Sequence, residues 1–177
     1  LKKYGLKPME GHLWKFLRLR PVNFPTIRLA QLAALLHRSS GLFSQLLETA
    51  SLKEIRQLFD VEASEYWNSH YRFNYPSKNS VKRLGDTAIN TLIINTVIPF
   101  LFVYGEQHNK PHLKDRALEW LEQLPPENNS VIEKWKALGV QPASAFETQA
   151  LLQLKNRYCE AKKCLRCQVG SKLIKKN

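Results

Sequence analysis

The apolar residues of this chain recur at helical spacing over most of its length. After an irregular start punctuated by glycine and proline, the first amphipathic segment opens at Thr26 and runs to His37. Its apolar positions follow the i, i+3, i+4, i+7 pattern of one helix face and are Leu29, Leu32, Ala33, Leu35 and Leu36. Ser51, with Glu54 after it, is typical of a capping box that begins a further helix. Similar segments occupy residues 42–50, 52–59, 113–124, 131–138 and 144–158, and Gly139 is placed to end one of them.

Residues 87–104 form the most apolar segment and contain no charge. Their length raises the question of a membrane span. However, two asparagines and Pro99 lie inside the segment, and its flanking charges are acidic rather than basic. We therefore predict a buried central helix, kinked or interrupted at Pro99, and no membrane partner.

An aromatic-rich segment, residues 62–76, precedes this helix and contains Tyr66, Trp67, Tyr71, Phe73 and Tyr75. We expect a short helix followed by a loop that packs against the core. The alternative is that these rings, with His70 and Arg72 between them, stack on nucleic-acid bases.

No strand-like alternation persists along the chain, so the pattern predicts an all-α fold. We expect an irregular multi-helix bundle of about seven to eight helices around the central apolar helix. We also expect the helical domain to cover residues 1–158, with 159–177 as a basic, cysteine-containing appendage that ends in a lysine-rich tail.

The net charge of +12 is concentrated at the two ends of the chain. Residues 1–40 carry eight Lys/Arg against one acid (+7), residues 41–149 carry eleven against thirteen (−2), and residues 150–177 carry eight against one (+7). Basic surfaces of this kind attract nucleic acid, other polyanions or acidic partners. The alternative is a set of solvated lysines that serve only solubility.

Arg18, Arg20 and Arg28 surround a proline-stiffened entry into the first long helix. Arg28 falls in the first turn of that helix, where a cation opposes the helix dipole. Such a residue needs an anionic partner. We consider two: a phosphate bound at the helix start by the three arginines, and a carboxylate from the acidic middle of the chain.

The only cysteines of the chain, Cys159, Cys164 and Cys167, form a C-x4-C-x2-C cluster. Thiolates at this spacing bind zinc or an iron–sulfur centre, and the adjacent cations favour the thiolate form. These cations, Lys162, Lys163 and Arg166, are also candidate polyanion ligands.

A closed tetrahedral site needs a fourth ligand, and His108, His112 or a residue outside this chain are the candidates. Two alternatives remain open: reduced, partly buried structural cysteines, and a redox or catalytic thiol. An odd, clustered set of cysteines argues against a secreted disulfide framework, so we expect a reducing, cytoplasmic compartment.

Catalytic signatures are missing from the sequence: it has no phosphate-binding loop, dinucleotide fingerprint, zinc-protease motif or nucleophile elbow. We therefore expect no active site contained within this chain alone.

Three motifs occur in order along the chain. They are Arg20-Pro21-x-Asn23-Phe24-Pro25-x-x-Arg28-Leu29-Ala30-Gln31-Leu32-Ala33, Asn95-x-x-x-Pro99-x-Leu101-x-x-Tyr104-Gly105 and Tyr158-Cys159-x4-Cys164-Leu165-x-Cys167-x-x-Gly170. With these motifs the chain resembles the C-terminal half of an uncharacterised bacterial family labelled domain of unknown function 2851. The resemblance implies a longer protein whose N-terminal part would be a partner of this chain, and it implies no activity, cofactor or catalytic residue.

Two functional hypotheses follow. In the first, the chain is a helical accessory domain that binds nucleic acid or another polyanion, with the cysteines as a structural metal staple. In the second, it is a structural or protein-interaction domain that packs on the N-terminal part of the protein and has no ligand of its own.

Overall fold

Helices make up most of the molecule in a computed structural model that describes residues 2–7 and 9–174. The α-helices are α1 Pro25–Arg38, α2 Leu42–Glu48, α3 Leu52–Phe59, α4 Asp86–Leu92, α5 Ile98–Gln107, α6 Pro111–Gln123, α7 Ser130–Ala137, α8 Ala145–Leu154 and α9 Gln168–Ile174. Tighter 3-10 turns cover Lys2–Tyr4, Gly11–Leu13, Pro21–Asn23, Glu65–Ser69 and Cys164–Arg166, and wider π turns cover Ile93–Val97 and Lys155–Cys159. The predicted all-α fold is confirmed.

The chain divides into two compact units, Leu1–Ile89 and Asn90–Asn177. The sequence pattern indicates no boundary at this point, because it lies inside an uninterrupted apolar helix. The predicted division between residues 1–158 and 159–177 stays a prediction.

In the first unit, the face of α1 that carries Ile27 packs against Ala63 and Trp67. Its buried residues are Ile27, Gln31 and Leu35, whereas Leu29, Leu32 and Leu36 are about half exposed, at 48%, 46% and 55%. Of the predicted apolar stripe, only Leu35 is buried. The reason is that α1 has apolar residues on two faces, and periodicity alone does not decide which face meets the core.

Helix α3 begins with the predicted capping box. The Ser51 hydroxyl accepts from the Glu54 amide at 3.2 Å, and the Glu54 carboxylate accepts from the Ser51 amide at 3.4 Å. At the other end of α3, the Arg38 guanidinium donates to the carbonyls of Gln57 (3.1 Å) and Asp60 (2.8 Å). Both ends of this helix are therefore satisfied by side chains.

The aromatic segment contains a small hairpin that the sequence analysis did not predict. Strands β1 His70–Arg72 and β2 Tyr75–Pro76 pair antiparallel, and Asn74 occupies the left-handed region at φ 62° in the turn. Trp67 packs in the core, but Phe73 and Tyr75 are 63% and 70% exposed. The expectation that this segment packs on the core is therefore right for Trp67 and wrong for the hairpin tip, since strands this short carry no detectable periodicity.

Helices α4 and α5 are continuous through the π turn and form a 22-residue helix, Asp86–Gln107. The amide of Ile98 bonds the carbonyl of Ile93, five residues back, directly before Pro99. This wider turn accommodates a proline that lacks an amide proton and crowds the preceding turn. The predicted irregularity at Pro99 is thus a π turn in an unbroken helix.

This long helix is less buried than expected, with 39% of its most apolar window covered. Leu92, Phe102 and Val103 lie on its exposed side. By length and composition it is the one helix in the described part of the chain that is able to cross a membrane, a property it shares with core helices of soluble proteins.

In the second unit, α5 and α6 form a tight antiparallel hairpin. Its closest approach is at the buried Gly105, where an added Cβ would lie 2.9 Å from the carbonyl oxygen of Lys110 and 3.2 Å from the Cβ of Leu113. The core of this unit includes Trp120 and Ile132. After α7, Gly139 adopts φ +86°, which confirms its predicted role in ending the helix.

We expect Gly105→Ala to lower the free energy of unfolding by about 1–3 kcal/mol, because the backbone of Lys110 leaves no room for the methyl group. Chemical denaturation followed by circular dichroism measures this. Glu119→Ala, which removes an exposed side chain from the neighbouring α6, is the control and should leave stability nearly unchanged. Equal stability of the two variants would contradict the close approach at Gly105.

Candidate functional site

A cleft of about 650 Å³ opens in the first unit between the start of α1 and the hairpin. We call it the aromatic cleft. One part of its lining is the α1 side chains Thr26, Leu29, Ala30 and Ala33; the other part is the aromatic side chains Trp14, Phe16, Trp67 and Phe73, with Arg72 as the one charged residue of the described lining.

Edge-to-face contacts between aromatic rings hold the hairpin against the start of α1. Phe24, which directly precedes the helix, contacts Phe16 edge-on at 5.0 Å between ring centroids and Tyr71 at 6.3 Å. The Thr26 hydroxyl donates to the carbonyl of Tyr71 at 2.6 Å. The proline-stiffened entry that the sequence indicates is therefore also the anchor of one wall of the cleft.

Arg72 lies at the rim of the aromatic cleft with its guanidinium over two rings. Its Cζ is 4.4 Å from the Phe16 centroid and 5.2 Å from the Phe24 centroid. Among the described residues, no carboxylate and no hydrogen-bond acceptor contacts this group. Because stacking uses the face of the guanidinium, its N–H donors remain available at the edge.

Arg28 bonds neutral amides instead of a carboxylate. Its guanidinium donates to the side-chain oxygens of Asn23 at 2.5 Å and Gln31 at 2.9 Å, and partial burial lowers the pKa of Arg28. It makes no ion pair with any residue that the structure describes. The expected alternative, a carboxylate from the acidic middle of the chain, is therefore not what surrounds Arg28.

The other two N-terminal candidates, Arg18 and Arg20, are exposed in the loop before α1. Arg18 occupies the left-handed region at φ 63°. Within residues 2–7 and 9–174, neither side chain forms an ion pair. Arg18, Arg20 and Arg28 thus all lie in the first unit without a carboxylate partner among the described residues.

Lys82 is a buried cation that no sequence pattern indicates. Its side chain is 3% exposed, and its ammonium donates to the carbonyls of Ser80 (2.8 Å) and Asn68 (3.2 Å) and to the Ser80 hydroxyl (2.6 Å). The ammonium also lies 4.1 Å from the centroid of the Tyr71 ring. The backbone carbonyl of Lys82 accepts a hydrogen bond from the buried side-chain amide of Gln31 in α1 at 3.0 Å. This lysine therefore ties the segment after the hairpin to the helix. A lysine among polar residues gives no sequence signal of burial.

A second cleft in the same unit, about 710 Å³, is lined by side chains of both signs of charge beside apolar ones. Arg83 forms a bidentate pair with Asp60, and Arg56 lies 3.9 Å from Asp86. The hydrogen bond from Arg83 holds the pKa of Asp60 below its usual value. Since these arginines already have carboxylate partners, this cleft is less suited to an anion.

The predicted metal ligands lie in the second unit and do not converge. Cys159 and Cys164 are exposed, whereas Cys167 is buried. No group of three or more His, Cys, Asp or Glu side chains in the described chain is arranged to hold a metal ion. As placed, the thiols do not form a ligand set for zinc or an iron–sulfur centre, and the metal staple stays a prediction without geometric support.

The two candidate fourth ligands lie in the α5–α6 hairpin. His108 contacts the Tyr104 ring at 4.1 Å between centroids, and His112 lies in the first turn of α6. The basic candidates Lys162, Lys163 and Arg166 are all exposed around the cysteines. The last residues of the lysine-rich tail, 175–177, lie outside the described residues.

We expect the pKa of Tyr71 to lie below the ordinary value of a tyrosine. The Ser80 hydroxyl and then the charge of Lys82 lower the pKa of Tyr71. Because this lowered pKa favours the phenolate in the folded state, the stability it contributes is present above the unfolded pKa and is lost as pH falls through the folded pKa. Tyrosinate absorbance during a pH titration measures the ionisation, and Tyr71→Phe should remove its earliest phase.

Ser80→Ala and Lys82→Met should each raise the pKa of Tyr71. The matched control is Lys78→Met, which removes an exposed lysine from the same segment and should leave the titration unchanged. If all three variants titrate like the unmodified chain, the contacts around Lys82 are wrong.

Comparison with known proteins identifies a family. The model of the family described as "Protein of unknown function (DUF2851)" matches residues 1–130, which include the aromatic cleft and end before the cysteine segment. No curated protein and no solved structure matches the chain. Whether this chain is the C-terminal half of the family's proteins stays a prediction. Because the match covers well over half of the 177 residues, the chain belongs to the DUF2851 family of proteins of unknown function.

Proposed function

We propose that this chain is a helical accessory domain that binds nucleic acid or another polyanion. One observation carries the proposal: the arginines around the start of α1 lack carboxylate partners in the described structure, whereas Arg56 and Arg83 of the same unit have them. A protein that pairs some arginines and leaves a neighbouring set unpaired has positive charge available for an external anion.

The partial burial of Arg28 strengthens this argument. Partial burial removes hydration from the Arg28 guanidinium, and no carboxylate replaces it. The side-chain oxygens of Asn23 and Gln31 make up only part of the lost hydration energy. Guanidinium groups bind phosphate oxygens with paired, charge-assisted hydrogen bonds. A bound phosphate would therefore supply the counter-charge that the protein does not supply.

The sequence around Arg28 is poor in acidic residues. In residues 1–40 the only acid is Glu10, and its carboxylate lies 3.2 Å from the Nδ1 atom of His12. Arg18 and Arg20 are exposed, so their charges are accessible to a polyanion backbone. Each phosphate that they neutralise would release counterions, which makes the binding dependent on salt.

A second basic group supports the same function in the other unit. Lys162, Lys163 and Arg166 are exposed and form no ion pair with the described residues. The metal staple is not part of the proposal, because the cysteines are not gathered as ligands. We place the protein in the cytoplasm, where clustered cysteines stay reduced.

We expect affinity for a single-stranded oligonucleotide or for heparin to fall steeply with salt. Arg28→Gln should weaken binding and reduce the slope of log affinity against log salt by about one, the value for one lost phosphate contact. Arg83→Gln is the matched control: it makes the same change in net charge, but its charge is already paired with Asp60. Fluorescence anisotropy at several salt concentrations measures both.

Three results would contradict the proposal. They are absence of binding at low salt, binding without salt dependence, and an Arg83→Gln variant that loses as much affinity as Arg28→Gln. Circular dichroism of each variant shows whether the fold is retained.

A second candidate function is a protein-interaction domain that packs on an N-terminal part of the same protein. The observation that favours it is the apolar face of α1, where Leu29, Leu32 and Leu36 are about half exposed. Apolar faces of this kind mark interaction surfaces. Binding of that N-terminal part, produced separately, should be lost in Leu32→Glu and retained in Arg28→Gln; the reverse pattern, or no binding, would refute this candidate.

A further inference from the structure

We infer that the aromatic cleft is a nucleobase site, so that the polyanion of the first unit is a single-stranded nucleic acid. This inference rests on the proposed function and adds the chemical class of its ligand. It concerns the cleft lining, whereas the proposed function concerns the arginines before and at the start of α1.

The lining of the cleft suits a flat, neutral ring. Its volume of about 650 Å³ falls within the range of about 300–1,000 Å³ that is typical of small-molecule sites. Trp67 contacts Phe73 at 5.0 Å between ring centroids, with the planes at 65°, so the two rings form a corner and not a closed stack. Phe73 is 63% exposed, and covering such a ring by a stacked base is favourable in water.

Arg72, the only charged residue in the described lining, is placed to bind a phosphate next to the base. Arg72 is held over Phe16 and Phe24, and its N–H donors have no acceptor in the described part of the protein. No carboxylate is found among the described residues that line the cleft, so none of them repels an anion or favours a cationic ligand. A ring in the cleft with a negative group at its rim is the chemistry of a nucleotide unit.

Single strands fit this arrangement better than duplexes. In a duplex the base faces are stacked on each other and unavailable to protein side chains, and extracting one base costs a few kcal/mol. Single-stranded bases are free to stack on aromatic side chains, with little dependence on sequence. The basic segment that precedes α1 would then bind the phosphates that follow.

The test compares two ligands of equal charge: a thymidine oligonucleotide and an oligonucleotide of the same length that consists of abasic deoxyribose phosphates. The full 177-residue chain should bind the thymidine strand at least about fivefold more tightly. Tryptophan fluorescence should be quenched only by the strand with bases, because Trp14 and Trp67 line the cleft.

Phe73→Leu should remove most of the preference for bases and leave the affinity for the abasic strand unchanged. Arg72→Gln should weaken binding of both strands. The matched control is Tyr75→Leu, which removes a ring that is 70% exposed on the next strand of the hairpin but does not line the cleft. This control should bind both strands like the unmodified chain.

The outcomes separate the two proposals. Equal binding of the two strands, or a Phe73→Leu variant with an unchanged preference, would refute the nucleobase site and leave polyanion binding intact. A duplex with the same number of phosphates that binds as tightly as the single strand would refute it too. Failure to bind either strand or heparin at low salt would refute the proposed function itself.

Discussion

The attachment of α1 to residues 61–84 is the constraint on which the first unit depends. Backbone bonds pair the two ends of this segment, from Ala63 to Lys82 at 3.1 Å and from Leu84 to Val61 at 2.9 Å, and Trp67 packs inside it against Ile27. Helix α1 is then fixed to this segment by the hydrogen bond that the side-chain amide of Gln31 donates to the backbone carbonyl of Lys82. Because buried polar groups without partners are costly, this bond defines the rotation of α1 about its axis.

Several features of the first unit follow from that rotation. With Gln31 turned to the core, the leucines at positions 29, 32 and 36 turn toward solvent, and Arg28 is left partly buried beside two amides. The bond from Thr26 to the Tyr71 carbonyl then sets the hairpin beside the helix, with Arg72 over Phe16. The cleft, the unpaired cations and the exposed apolar face are thus consequences of one helix orientation.

The buried Lys82 shows how this unit accommodates a cation without an acid. Three oxygen acceptors satisfy the ammonium, and the Tyr71 ring covers it. An ion pair at this place would gain Coulomb energy but would require a second buried charge. Neutral acceptors hold the lysine and leave the net positive charge of the unit in place, and that excess charge is what a polyanion would use.

Local sequence signals were sufficient to predict those features of the fold that depend on residues only a few positions apart. The Ser51 cap, the helix end at Gly139 and the irregularity at Pro99 were all predicted, because capping, left-handed glycine and a missing amide proton act within one or two helical turns. Most helix positions followed from periodicity for the same reason, except α9, which lies in the segment expected to be an appendage outside the helical domain. The charge at the two ends followed from composition.

Contacts between residues distant in sequence decided the rest. Which face of α1 is buried depends on Lys82, which lies 51 residues after Gln31, and whether Arg28 has a carboxylate depends on which acids the fold brings near it. The exposure of Cys159 and Cys164, the burial of Cys167 and the convergence of four aromatic side chains on one cleft were likewise outcomes of packing. The sequence by itself determined the helices and the charge, and the tertiary structure decided which side chains meet, because burial is set by long-range contacts that no local pattern encodes.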